Sequence, residues 1–179
     1  AMGTLLQQRG LLPGQRPEDW NIERPADVRA VHKAYFEAGS DVVLTNTFGS
    51  NGVKHCGSPY SLERVVSAAV ENAKEAAVCA NAGGRPLFAA LDVGPTGKLL
   101  RPLGDLDFLD AVSAFSSLCK AGARAGADLI FVETMSDLYE LKAAVLAAKE
   151  TGLPVFATVA PDSRGKLLTG GDPACVFAL

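Results

Sequence analysis

The residues best suited to chemistry each follow a short apolar run. Glu133 directly follows Leu129-Ile130-Phe131-Val132 and precedes Thr134 and Met135. A carboxylate at the end of a buried strand can bind an ammonium group, act as a general base or hold a metal. Its other reading is a solvated loop acid, or a cap for the helix that opens at Ser136. Asp92 closes a second apolar run and leads into Gly94-Pro95-Thr96-Gly97. It has the same chemistry open to it, or it caps that turn. The turn itself lacks the lysine and the spacing of a phosphate-binding P-loop. Thr45-Asn46-Thr47 beside Phe48 combines hydroxyls, an amide and a ring. That mix suits a small polar ligand with an apolar part, although Asn and Thr also satisfy local backbone in turns. Thr158 and Asp162 follow a fourth run.

Other reactive residue types are less promising. His32 falls within a helical pattern and His55 in a loop, and both read as surface or packing residues. Trp20 reads as a loop anchor. Cys56, Cys79, Cys119 and Cys175 are widely separated, without the short spacing of a zinc knuckle or a redox CxxC pair. They are expected to stay reduced in a cytoplasmic protein. No Ser/His/Asp arrangement and no dinucleotide-binding glycine fingerprint is visible. Lys and Arg number 17 against 20 Asp and Glu, intermixed, for a net charge of -3. No basic patch marks a nucleic-acid partner. No apolar run reaches the roughly 20 residues that span a bilayer, and Gln7, Gln8 and Arg9 interrupt any signal peptide.

The elements that must position these residues alternate along the chain. Helices are expected over 25–38, 61–80, 107–125 and 136–151, with Pro25 in a first turn and Ser61 or Ser58, Asp107 and Ser136 opening the others. Strands are expected over 41–45, 86–92, 128–132 and 154–159, and a further helix from Asp172. A faint repeat runs through the joints. Ala38-Gly39-Ser40-Asp41 resembles Ala125-Gly126-Ala127-Asp128, and Gly84-Arg85-Pro86-Leu87 resembles Gly152-Leu153-Pro154-Val155. Alternating βα units of this kind point to an α/β protein of the (β/α)8 TIM-barrel class rather than a doubly wound sheet. A whole barrel takes eight units and about 250 residues. The 179 residues therefore read as one partial barrel domain, about half, truncated at both ends. In such a barrel the polar residues named above lie at the C-terminal mouth.

Five stretches together resemble the homocysteine S-methyltransferase family. They are Ala1-Met2-Gly3-Thr4, Asn46-Thr47-Phe48-Gly49, Gly94-Pro95-Thr96-Gly97-Lys98-Leu99, Glu133-Thr134-Met135-Ser136-Asp137 and Leu168-Thr169-Gly170-Gly171-Asp172-Pro173. The resemblance covers essentially the whole chain. It is nearest to the N-terminal homocysteine-binding domain of the cobalamin-dependent, methionine-synthesising branch. The betaine- and S-methylmethionine-using branches are the alternatives, as is an inactive fragment that only binds a small ligand or partner. The resemblance implies a mouth that binds homocysteine, with zinc held by three cysteine thiolates activating the substrate sulfur. The methyl group would come from methylcobalamin on a separate module, recharged from methyltetrahydrofolate on a folate module of the same protein. Glu133 matches the glutamate that binds the amino group. The backbone of Ala1, Met2 and Gly3 matches the turn that receives the carboxylate. Thr45, Asn46, Thr47 and Phe48 match the segment lining the pocket, and Asp92 joins this substrate-binding set. No residue here matches a catalytic group or a zinc cysteine, since those of the family are expected beyond Leu179. The family's aspartate before Ala-Met-Gly-Thr is absent, and Val159-Ala160-Pro161-Asp162 departs from the usual Thr-Phe-Asp. The chain alone is expected neither to hold zinc well nor to transfer methyl groups.

Overall fold

The computed structural model describes residues 2–80 and 83–179. Four parallel strands form one sheet in the sequential order β1 (Val42–Leu44), β2 (Phe88–Val93), β3 (Leu129–Met135), β4 (Val155–Val159). A helix separates each pair: α4 (Leu62–Cys79), α5 (Phe108–Arg124) and α6 (Leu138–Lys149). Strictly sequential neighbours are what a barrel wall requires. A doubly wound sheet would reverse its order partway. Among the described residues the sheet is open, with β1 and β4 each paired on one side only.

The elements form where apolar periodicity and capping coincide. Ser61 caps α4, its side chain accepting from the Arg64 N–H. Asp107 occupies the cap position of α5 without making the cap bond, and its carboxylate pairs with Arg101 instead. The cap of α6 is Asp137, not Ser136; its side chain accepts from the Glu140 N–H, so the helix starts two residues later than expected. Asp172 caps the short α7 (Pro173–Phe177) in the same way. The front of the chain was not legible as helix. There, α1 (Met2–Gln8), a 3-10 turn at Pro17–Asp19 and α2 (Trp20–Glu23) lead into α3 (Pro25–Glu37).

The main core lies between the sheet and its helices. Leu91, Ile130 and Val132 from the strands pack against Phe115, Leu118 and Leu141 from α5 and α6. Each such side chain, fully buried, contributes roughly 1.5–3 kcal/mol. Trp20, the expected anchor, is buried with Leu6, Leu11, Val28 and Val31 in a satellite cluster that fixes the front segment. The other face of the sheet is less covered. Phe131 and Phe156 stack there with ring centroids 6.2 Å apart, and Phe156 stays 57% exposed. Among the described residues no helix is long and apolar enough to cross a membrane.

Candidate functional site

The C-terminal ends of β1, β2 and β3 converge on one cavity of about 300 Å³. Its walls are Met2, Gly3, Pro17, Glu18, Thr45, Asn46, Phe48, Asp92, Glu133 and Thr134. A second cavity, of about 370 Å³, runs along β1 and shares Met2, Thr45, Asp92 and Glu133 with the first. The substrate-binding residues expected from the sequence thus meet, with two qualifications. Ala1 lies outside the described residues. Thr47 is fully buried and lines neither cavity; its hydroxyl donates to the Asp92 carbonyl at 2.7 Å.

The β1 end is a scaffold as much as a wall. Thr45 Oγ1 accepts from the Asp92 N–H at 3.1 Å and lies 2.8 Å from Thr47 Oγ1. Asn46 donates through Nδ2 to the Pro17 carbonyl and accepts at its own carbonyl from Asn21 Nδ2. These bonds tie β1 to β2 and to the 3-10 turn. Phe48 supplies an apolar wall, with Lys54 Nζ 5.4 Å from its ring centroid. Gly94 makes that wall possible, because a Cβ there would fall 2.5 Å from the Phe48 ring.

Asp92 is the most perturbed group in the site. It is 6% exposed, and its Oδ1 has no hydrogen-bond partner among the described residues. Burial holds its carboxyl well above the usual range, and the nearby Glu133 and Glu18 carboxylates push the same way. Glu133, half-buried at the end of β3, is also raised by burial. Two carboxyls that resist ionisation around one cavity form a site that an ammonium would relieve.

Sequence reasoning missed Glu18; Thr134, read at the end of its strand, was not placed in the substrate-binding set, yet it lines the cavity. Glu18 is buried in the 3-10 turn and its Oε1 accepts from the Gly49 N–H at 2.8 Å. Met2 and Gly3 form the first turn of α1 rather than a loop. The N–H groups of a first helical turn lack intrahelical acceptors, so they remain available to a carboxylate. Thr158 lies beside the site and accepts at Oγ1 from the Thr134 N–H. Asp162 is occupied elsewhere, its carboxylate accepting from the N–H groups of Arg164 and Lys166. His32 is buried on α3, its imidazole lowered to about 4 by burial, and His55 bonds the Tyr60 carbonyl.

The cysteines do not form a metal centre. Cys119 is buried in the helix-side core with its thiol pushed up to about 12. Cys56, Cys79 and Cys175 are exposed, and all four are free thiols. Among the described residues no group of three or more His, Cys, Asp or Glu side chains could hold a metal ion.

Residues 1–178 match the sequence profile of the family described as homocysteine S-methyltransferase. The chain is 34% identical over 188 residues to the methionine synthase of Mycobacterium tuberculosis (strain ATCC 25618 / H37Rv), covering 96% of this chain and 16% of that protein. It is 31% identical over 194 residues to the methionine synthase of Mycobacterium leprae (strain TN), covering 99% of this chain and 16% of the relative. The chain therefore spans about a sixth of these relatives' length. In structure it resembles the homocysteine methyltransferase MmuM from Escherichia coli. The metallated form superposes with a TM-score of 0.87 at 21% identity, covering 99% of this chain and 67% of that one. The oxidized form gives 0.82 at 24% identity, covering 100% and 66%.

Proposed function

The chain belongs to the homocysteine S-methyltransferase family, and on that premise we propose that the β1–β3 cavity binds homocysteine as the methyl acceptor in methionine synthesis. The observation that carries the reading is the pair Asp92 and Glu133, two half-buried to buried carboxyls raised by burial and facing one cavity beside the first turn of α1. In this reading Glu133 receives the ammonium, with Asp92 beside it. The backbone N–H groups of Met2 and Gly3 receive the carboxylate. Phe48 covers the apolar stem of the ligand, and Thr45 and Asn46 hold the wall in register. The amino-acid end is thereby fixed, and the sulfur is left toward the uncovered side of the sheet, where a methyl donor can approach.

Zinc does not fit the residues present here. A zinc ligand set needs several thiolates on one centre, whereas Cys119 is a core thiol and the other three cysteines sit on separate elements. The proposed zinc is therefore assigned to cysteines outside these residues. The donor is proposed to be methylcobalamin, recharged from 5-methyltetrahydrofolate on partner modules of the same cytoplasmic protein. The likeness to two mycobacterial methionine synthases supports methionine synthesis as the reaction, with betaine and S-methylmethionine as the alternative donors. The strands shown here are proposed to be part of a (β/α)8 barrel.

The test is calorimetric binding of L-homocysteine to the natural full-length protein and to its Glu133→Gln variant. The variant should bind about 10- to 150-fold more weakly, the roughly 1.5–3 kcal/mol of a charged hydrogen bond. Equal affinity in the two proteins would remove Glu133 from the site, and absence of binding in both would overturn the substrate. Turnover with each of the three donors then identifies the methyl source.

A further inference from the structure

The strand that carries Glu133 is one residue longer than its neighbour allows. Ile130, Phe131 and Val132 pair in turn with Val155, Phe156 and Ala157 on β4, and the next pair is Met135 with Val159. Between those pairs β3 runs through Glu133 and Thr134, while β4 has Thr158 alone. This is a β-bulge, an extra residue that re-aims its neighbours.

Side-chain faces confirm the count. In a regular strand successive residues alternate faces. Ile130 and Val132 point into the helix-side core, and Phe131 lies on the opposite face against Phe156. Strict alternation would send Thr134 into the helix-side core and Met135 out of it. Instead Met135 is fully buried in that core and Thr134 borders the cavity with Glu133. The extra residue is Thr134, whose φ of 61° is the only positive value at a non-glycine among the described residues. For a β-branched residue that conformation is a true outlier, kept only where the surroundings enforce it. The enforcing contacts are visible. The Thr134 N–H donates to Thr158 Oγ1 at 3.1 Å. Just beyond, the Ala160 N–H donates to the Met135 carbonyl, and the Leu168 N–H to the Ser136 carbonyl, both at 2.9 Å.

We propose that Thr134 and Thr158 form a positioning device for Glu133: the bulge, clamped by the Thr158 hydroxyl, aims the Glu133 carboxylate at the ligand's ammonium. The proposal rests on the reading of Glu133 as the ammonium acceptor. Thr158 itself touches no substrate. It acts through the backbone of β3.

The experiment measures binding of L-homocysteine and of 4-mercaptobutanoate, which lacks the amino group, to the natural full-length protein and its variants. The wild type should prefer homocysteine by about 10-fold or more, the share due to the charged bond at Glu133. Thr158→Val removes the clamp at nearly constant volume. It should abolish most of that preference while leaving the affinity for 4-mercaptobutanoate unchanged. In a Glu133→Gln background Thr158→Val should have no further effect on selectivity. Thr158→Ser, which keeps the hydroxyl, should restore the preference, and Thr134→Gly should keep it, because glycine adopts positive φ freely. Equal weakening of both ligands by Thr158→Val, or an undiminished effect in the Glu133→Gln background, would show a merely structural role and overturn the device. A wild type that binds both ligands equally would instead sink the ammonium role of Glu133, and the device with it.

Discussion

Glu140 touches no proposed ligand, and replacing it with alanine gives a sharp test of how the mouth is built. It is 2% exposed in the first turn of α6. Its Oε1 accepts from the Thr96 N–H at 2.7 Å and from the Thr96 hydroxyl. Thr96 is itself 2% exposed, so Glu140→Ala strands its N–H away from water and leaves its hydroxyl only the long 3.4 Å bond to the Lys98 carbonyl. Each unsatisfied buried donor costs about 1–3 kcal/mol. Both bonds share one oxygen, and the mutation also removes a carboxylate that was costly to hold away from water. The lower end therefore applies, a net loss of about 2 kcal/mol. For a domain of this size that corresponds to a Tm lowered by about 4–8 °C. The damage should reach function as well. Thr96 closes the Gly94–Gly97 turn, and Gly94 packs directly on Phe48, the apolar wall of the cavity. Thermal unfolding and homocysteine affinity should both fall for Glu140→Ala, with Glu140→Gln intermediate because it retains an oxygen acceptor. A Tm within about 1 °C of wild type, below what 0.5 kcal/mol would produce, would mean the Thr96 donors find other partners. The Gly94–Gly97 turn would then not depend on Glu140.

Three further outcomes follow from burial and packing. His32 titrates near 4 when folded against 6.5 in the open chain, so the unfolded chain takes up its proton first as pH falls. Stability should be intact above about pH 6.5 and decline between 6.5 and 4 by about 3 kcal/mol, and denaturant unfolding of His32→Gln should show that decline flattened. Asp92 has a folded pKa raised well above 3.8, so its ionisation opposes folding at higher pH. Asp92→Asn should therefore unfold like wild type below pH 4 and be more stable than wild type at pH 8, while binding homocysteine more weakly. Gly122→Ala would bring a Cβ to within 2.5–2.9 Å of the fully buried Leu91 side chain. Overpacking of about 1–3 kcal/mol should outweigh the roughly 1 kcal/mol of helix propensity gained, and urea unfolding should report a net loss.

What the sequence disclosed follows from how each feature is encoded. The four strands and the helices between them are written in apolar runs and caps, because each turns apolar side chains to the core, β4 only partly, through Val155 and Val159. Val42–Leu44 and Phe88–Val93 appear where continuous apolar stretches predict them. Asp92 and Glu133 could be chosen because a strand ending in a carboxylate breaks its own apolar pattern, and the fold then brings both ends to one cavity. Glu18 carried no such mark. It precedes Trp20 in an irregular segment, and it reaches the site only because the satellite cluster around Trp20 folds that segment against Gly49. Thr47 was hard to separate for a related reason: both hydroxyls of the Thr-Asn-Thr run bond Asp92 on β2, and only the folded β1 end shows that Thr45 also lines the cavity whereas Thr47 does not. Thr134 lies between these cases. The spacing from Val132 to Met135 is odd where two helix-facing residues should be an even number apart, which is the written trace of the bulge. That trace becomes readable only once β4 supplies a single residue, Thr158, opposite two. The carboxylate was thus legible from β3 alone, whereas its aim is a property of two strands and could be encoded only by their disagreement in length.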